Sequence, residues 1–124
     1  MNHIEDNEQI CLMEWAAAQS GKFPELSLIF HIPNGGKRNA REASRFKRMG
    51  VKAGVPDLFL PVPRGGCHGL FIELKAPRGR LSDYQRGWIE SIKASGYAVS
   101  VCYGCDEARR DILRYLELEK PNRR

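Results

Sequence analysis

The chain has 124 residues, 42% hydrophobic and 28% charged, with a formal net charge of +5 at neutral pH. That length buries a core within one domain, and the composition excludes disordered, collagen-like and disulfide-scaffold classes. No apolar run reaches the ~20 residues that cross a bilayer, and the polar start Met1-Asn2-His3-Ile4-Glu5-Asp6 lacks a leader's apolar stretch. A cytoplasmic protein with no membrane partner is therefore expected: a single domain over 1–124, with its core in about 5–119 and a frayed tail at 120–124.

In chain order, a first helix is predicted from about Glu5 to Gln19. Ile4, Cys11, Leu12, Trp15 and Ala18 form its apolar stripe, and Gly21 ends it. Phe23-Pro24-Glu25 connects it to a buried strand over Leu26–Ile32, stopped by Pro33-Asn34-Gly35-Gly36. Asn39 caps a second helix with Glu42 three residues on, and Gly50 suits its C′ position. Ala43, Phe46 and Met49 can face inward there, leaving Arg41, Arg45 and Arg48 exposed. Two strands follow, about 55–61 and 69–75, joined by the turn residues Arg64-Gly65-Gly66. After the break Ala76-Pro77-Arg78-Gly79-Arg80, Ser82 and Gln85 form the capping box of a third helix. Its apolar side is Tyr84, Trp88, Ile89 and Ile92, and Gly96 ends it. Tyr97–Tyr103 reads as a fourth strand. Asp106 caps a last helix to about Glu119, packing through Ala108, Ile112, Leu113 and Leu116. The order α-β-α-β-β-α-β-α, with a helix crossover joining the last two strands in parallel, predicts an α/β fold: a mixed central β-sheet flanked by helices.

Charge is uneven. Residues 1–25 carry −4, residues 26–80 carry +8 and residues 81–124 carry +1. Two of the three acids in the basic segment, Asp57 and Glu73, lie in its apolar strands. A positive surface around a small acidic centre suits a polyanion held near a divalent cation. Cys102 and Cys105 have redox or zinc spacing, and Cys67-His68 is the obvious source of two more ligands. In parallel strands, however, the two pairs fall at opposite ends, on the order of 15–20 Å apart. No structural zinc site is expected from them, the thiols are read as reduced, and Cys11 and Cys102 are read as small core residues.

The most informative stretch is Gly54-Val55-Pro56-Asp57-Leu58-Phe59-Leu60 followed by Leu70-Phe71-Ile72-Glu73-Leu74-Lys75. A turn centred on Gly65 sets Asp57 opposite Glu73 and Phe59 opposite Phe71. Like charges opposed across a sheet are destabilising and call for a cation. Period-2 alternation brings Lys75 to the face of Glu73. Two carboxylates and an amine converge, as a metal-dependent phosphodiesterase requires. Asn34-Gly35-Gly36-Lys37-Arg38 is either a turn or an anion-binding corner, and it lacks the spacing of a nucleotide-triphosphate loop, so no nucleotide cofactor is expected. Arg41, Arg45, Lys47, Arg48 and Lys52, offset only by Glu42, are either a solvated helix face or a contact to a nucleic-acid backbone, the latter favoured. His31 reads as a hydrogen-bonded strand-end residue.

Pro56-Asp57 with Glu73-Leu74-Lys75 resembles the PD-(D/E)XK nuclease superfamily and its restriction-endonuclease-like core. Three blocks narrow the resemblance to the virus-type replication–repair nuclease (VRR-NUC) family, often a free-standing phage domain: residues 32–39, residues 54–58, and residues 71–82 from Phe71 to Ser82. With Glu5, Gln9 and Gln85 the likeness runs in order over roughly residues 5–105. The departure is Glu8, which stands where the family carries an apolar residue, so Glu5, Glu8 and Glu14 all compete as the first-helix acid, with Glu5 favoured.

The resemblance implies Mg²⁺ or Mn²⁺ bound by Asp57, Glu73, the Leu74 carbonyl and Glu5, with Lys75 acting on the attacking water. Gln85 is either a capping residue or a site-lining one, and Gln9 either solvated or site-lining. DNA contacts are expected from Asn34, Gly35, Lys37, Arg38, Arg41, Arg45, Arg48, Lys52 and Arg78. The implied function is a metal-dependent DNA endonuclease selective for branched or junction DNA, acting as a homodimer. The rivals are a non-catalytic DNA-binding or recombination-accessory protein on the same fold, and a nuclease acting on RNA.

Overall fold

A computed structural model describes residues 3–33 and 39–122. Among these the chain runs through α1 (His3–Gln19), a 3₁₀ helix (Pro24–Leu28), β1 (Phe30–His31), α2 (Ala40–Arg48), β2 (Leu58–Leu60), β3 (Leu70–Leu74), α3 (Asp83–Ala94), β4 (Ala98–Cys102) and α4 (Cys105–Glu117). The strands form one sheet in the order β1-β2-β3-β4, antiparallel except for the parallel β3–β4 pair. This is the expected mixed α/β architecture, with a 3₁₀ helix added.

Alternation along β2 and β3 divides the sheet. Leu58, Leu60, Leu70, Ile72 and Leu74 point to one face, where they join Leu12 and Ala16 of α1 and Ala108, Ile112 and Tyr115 of α4 in the core. Asp57, Phe59, Phe71, Glu73 and Lys75 therefore belong to the other face. The register matches the expectation, with Phe59 opposite Phe71 and Leu58 opposite Ile72. Its origin is different. The tip is a two-residue turn with Arg64 bridged to Cys67 and positive φ at Gly65 (57°) and Gly66 (81°), the type I′ signature. Continued down the hairpin, that tip alone would shift the pairing by one residue. An extra residue in Pro61-Val62-Pro63, where Val62 N–H donates to the Leu60 carbonyl at 2.9 Å, restores it.

Several local expectations are corrected. The first three residues of the strand expected at Leu26–Ile32 belong instead to the 3₁₀ helix, because Pro24 fits its first turn and Ser27 Oγ donates to the Pro24 carbonyl at 2.8 Å. Only Phe30–His31 pairs as strand. On α1 the buried positions are Leu12 and Ala16, while Ile4, Cys11 and Ala18 are exposed, so the helix is rotated from its predicted stripe. Asn39 caps α2 as predicted, its Oδ1 accepting from Glu42 N–H at 2.8 Å. Yet α2 buries no residue; Ala43 and Met49 are exposed and Phe46 is half-buried. On α3 the Ser82–Gln85 capping box is present and Ile89 and Ile92 are buried, but Tyr84 is exposed. α4 starts at Cys105 behind Gly104 rather than at an Asp106 cap. Tyr115 joins the core, whereas Leu113 and Leu116 are half-buried.

Candidate active site

Asp57 precedes β2 and lies across from Glu73, so the backbone ladder delivers two carboxylates to one place. Leu74 N–H donates to Asp57 Oδ2 at 2.8 Å, fixing the shorter acid against the neighbouring strand. Glu73 is 3% exposed and Lys75 9%, both unusual for their types. Lys75 follows β3 and extends the parallel ladder through its N–H to the Cys102 carbonyl at 2.9 Å, which keeps its side chain on the face of Glu73.

Gln85 joins these groups. Its Nε2 donates to Glu73 Oε2 at 3.1 Å, while its Oε1 accepts from Lys75 Nζ at 3.4 Å and from Ser82 N–H at 2.8 Å. The capping and site-lining alternatives are thus one arrangement, because the cap aims the amide at the acid. Glu5 reaches in from α1, its Oε2 accepting from Ala76 N–H at 3.1 Å. Glu8 instead faces Cys11 and Cys105, and Glu14 is exposed. Among the three competing acids, Glu5 is the one beside Asp57 and Glu73. His31 sits at the end of β1 with Nδ1 2.9 Å from the Asp57 carbonyl oxygen.

Burial, reinforced by the charge of Asp57, pushes Glu73 up to about 8, against the pull of Lys75. Asp57 is also raised, by burial first and by Glu5, against the hydrogen bond from Leu74. Desolvated carboxylates facing one another hold a proton when nothing else neutralises them. A divalent cation would remove that need. The all-oxygen donors Asp57, Glu73 and Glu5 fit a hard ion such as Mg²⁺ or Mn²⁺.

Of the expected DNA contacts, Asn34, Gly35, Lys37 and Arg38 lie outside the described residues. Arg41, Arg45 and Arg48 are exposed and line one groove with Ser44 and Met49. Lys52 is exposed nearby in sequence. Arg78 is exposed in the loop after Lys75 with φ 65°, and Gly79 N–H closes the turn onto the Ala76 carbonyl at 2.8 Å. That is a type II turn with proline in its usual second position and arginine where glycine is favoured. Tyr103, predicted only as a strand end, donates its hydroxyl to the Gly79 carbonyl at 3.2 Å and pins this loop. No sequence pattern marks it, since the contact joins the end of β4 to a loop 24 residues away.

The VRR-NUC domain profile matches residues 4–106. A solved structure described as a VRR_NUC domain protein superposes with a TM-score of 0.80 at 35% identity, covering 97% of this chain and 93% of that one. A Fanconi-associated nuclease 1 homolog from Oryza sativa subsp. japonica is 42% identical over 53 residues. That stretch is 40% of this chain but 6% of the plant protein, so the likeness spans a small part of the relative. Matched over most of its length in sequence and nearly all of it in fold, the chain belongs to the VRR-NUC nuclease domain family.

Proposed function

We propose that this protein is a divalent-metal-dependent DNA endonuclease that hydrolyses phosphodiester bonds in branched or junction DNA. The observation that carries the reading is one cluster on one sheet face: buried Glu73 and Lys75 joined through the half-buried Gln85 amide, with half-buried Asp57 opposite Glu73 and held by Leu74 N–H. Pure DNA binding has no use for opposed buried acids, which cost stability unless a cation joins them. Asp57 and Glu73, with Glu5 and the Leu74 carbonyl, would hold Mg²⁺ or Mn²⁺. When bound, such an ion supplies Lewis acidity and lowers the pKa of coordinated water.

The chain's own groups do the rest. Lys75, held by Gln85, orients the attacking water and stabilises negative charge developing on the phosphate oxygens. Gln85 keeps Glu73 and Lys75 in register with each other. The exposed arginines of α2, together with Lys52 and Arg78, grip the DNA backbone without reading bases, which favours selection by DNA shape over sequence. The protein acts in the cytoplasm as a homodimer, a two-fold pair matching the paired strands of a junction. Phe30, 48% exposed on the edge strand β1, offers the dimer an apolar contact.

The test is purified protein with Mg²⁺ or Mn²⁺ on flap, fork, four-way-junction and linear DNA, beside Asp57→Ala. Cleavage of branched substrates by wild type alone is expected. Turnover in EDTA, or an active Asp57→Ala protein, overturns the reading. Light scattering of wild type and Phe30→Glu tests the dimer: the variant should shift to monomer.

A further inference from the structure

The nuclease site leaves a second set of potential ligands unused. Glu8 and Cys11 are three apart on α1 and share a helix face, and Cys105 opens α4. One ligand atom from each lies within 4.8 Å of the other two. Two thiolates on a tetrahedral zinc ion, each at about 2.3 Å, stand roughly 3.8 Å apart, so closing the set takes on the order of 1 Å of side-chain movement. The backbone makes room for the carboxylate. Gly104 has φ 108°, and a Cβ there would lie 3.1 Å from Glu8 Oε1. Cys11 is exposed, which leaves a path for an ion, and all four cysteines are free thiols.

We propose that Cys11, Cys105 and Glu8 form a second metal site, for a thiophilic divalent cation of the zinc class, with water as the fourth ligand. Loading forms two metal–sulfur bonds and one metal–oxygen bond, and releases the two thiol protons to solvent. The loaded group carries one net negative charge, and Arg109, itself paired with Asp106, is a cation whose field acts on Cys105. Ion-free, Cys105 is pushed up to about 12, by burial first and then by its hydrogen bond with Cys11, so its thiol stays protonated until a cation displaces the proton. The two sites select different ions: oxygen donors alone at Asp57 and Glu73, two sulfurs here. Occupancy would staple α1 to α4. Since α1 also delivers Glu5 one turn before Glu8, the staple would fasten the helix that brings Glu5 to Ala76.

The test uses the full chain, reduced and metal-free, titrated with Co²⁺. A near-ultraviolet thiolate-to-cobalt charge-transfer band saturating at one equivalent is expected, displaced by Zn²⁺ and accompanied by a higher Tm. Cys11→Ser, at an exposed position, should lose the band while keeping its fold by circular dichroism. Glu8→Gln should weaken Co²⁺ binding at least tenfold. Cys67→Ser and Asp57→Ala should keep the band, the latter because oxygen ligands give no thiolate transition. Absence of the band in wild type, its survival in Cys11→Ser, or its loss in Cys67→Ser overturns the proposal.

Discussion

Glu73 shows at residue scale how a buried acid couples pH to stability. Its ordinary value of 4.5 is raised to about 8 in the folded protein. Between those values the metal-free native state holds a proton that the unfolded chain has released. Its contribution to stability is therefore full below about 4.5 and is lost as pH rises through about 8. Metal-free protein should accordingly melt at lower temperature at pH 9 than at pH 5, Glu73→Gln should flatten that dependence, and Mg²⁺ should raise the wild-type Tm most at alkaline pH. Thermal melts across pH, with and without EDTA, check this; a wild-type curve unaffected by Glu73→Gln would sink the assignment.

Lys75 and Gln85 invite a second residue-scale test. Lys75→Ala should lower the single-turnover rate by about 10²–10⁴-fold, the range for a general acid–base group, with junction binding in Ca²⁺ near wild type. Gln85→Glu retains a capping-box acceptor for Ser82 N–H but replaces the amide donor to Glu73 with a like charge. Its rate should fall while α3 stays folded. If Gln85→Glu cleaves normally, the residue is a cap alone. The sequence pattern made both roles of Gln85 visible and could not join them, because Glu73 is 12 residues away and comes within reach only when α3 packs onto the sheet against β4.

At the scale of elements, α2 stands apart. It carries Arg41, Arg45, Lys47 and Arg48 against the single acid Glu42 and buries nothing. Arg41→Ala with Arg45→Ala should therefore leave global stability unchanged within about 0.5 kcal/mol. Affinity should drop alike across DNA sequences, and the slope of log affinity against log salt should flatten by about one for each phosphate no longer neutralised. Cleavage at saturating DNA should survive. Unchanged affinity and slope would make α2 a solvated face. The caps of α2 and α3 were legible because Asn39–Glu42 and Ser82–Gln85 close within four residues. The 3₁₀ helix was not, because Leu26-Ser27-Leu28-Ile29 has the composition of a strand, and it is the tight turn begun at Pro24 and held by the Ser27 hydroxyl that overrides it.

Across the whole molecule, α4 is fastened to the hairpin by Tyr115, whose hydroxyl donates to the Val62 carbonyl at 2.6 Å, and by Arg64. That arginine is 6% exposed, donating to the Glu25 carboxylate at 2.7 Å and to the Leu116 carbonyl at 3.3 Å. Tyr115→Phe leaves a buried carbonyl without that donor and should cost about 1–3 kcal/mol in chemical denaturation, with the rate at saturating metal and DNA little changed. A variant as stable as wild type would show that solvent replaces the bond.

The sequence by itself determined the order of elements, the hairpin register and the meeting of Asp57, Glu73 and Lys75. The order and the meeting follow from short-range alternation, which acts between near neighbours, and the register holds because the extra residue at Pro61-Val62-Pro63 offsets the two-residue turn. Only the tertiary structure decided which of Glu5, Glu8 and Glu14 approaches the two acids, that the turn residue Arg64 is also a buried anchor, and that Cys105 faces Cys11 rather than Cys102. These depend on how α1 and α4 rotate and dock over the sheet, and that choice is made by the packing of Leu12, Ala16, Ala108 and Ile112. The spacing of charges or thiols along the chain carries no record of it.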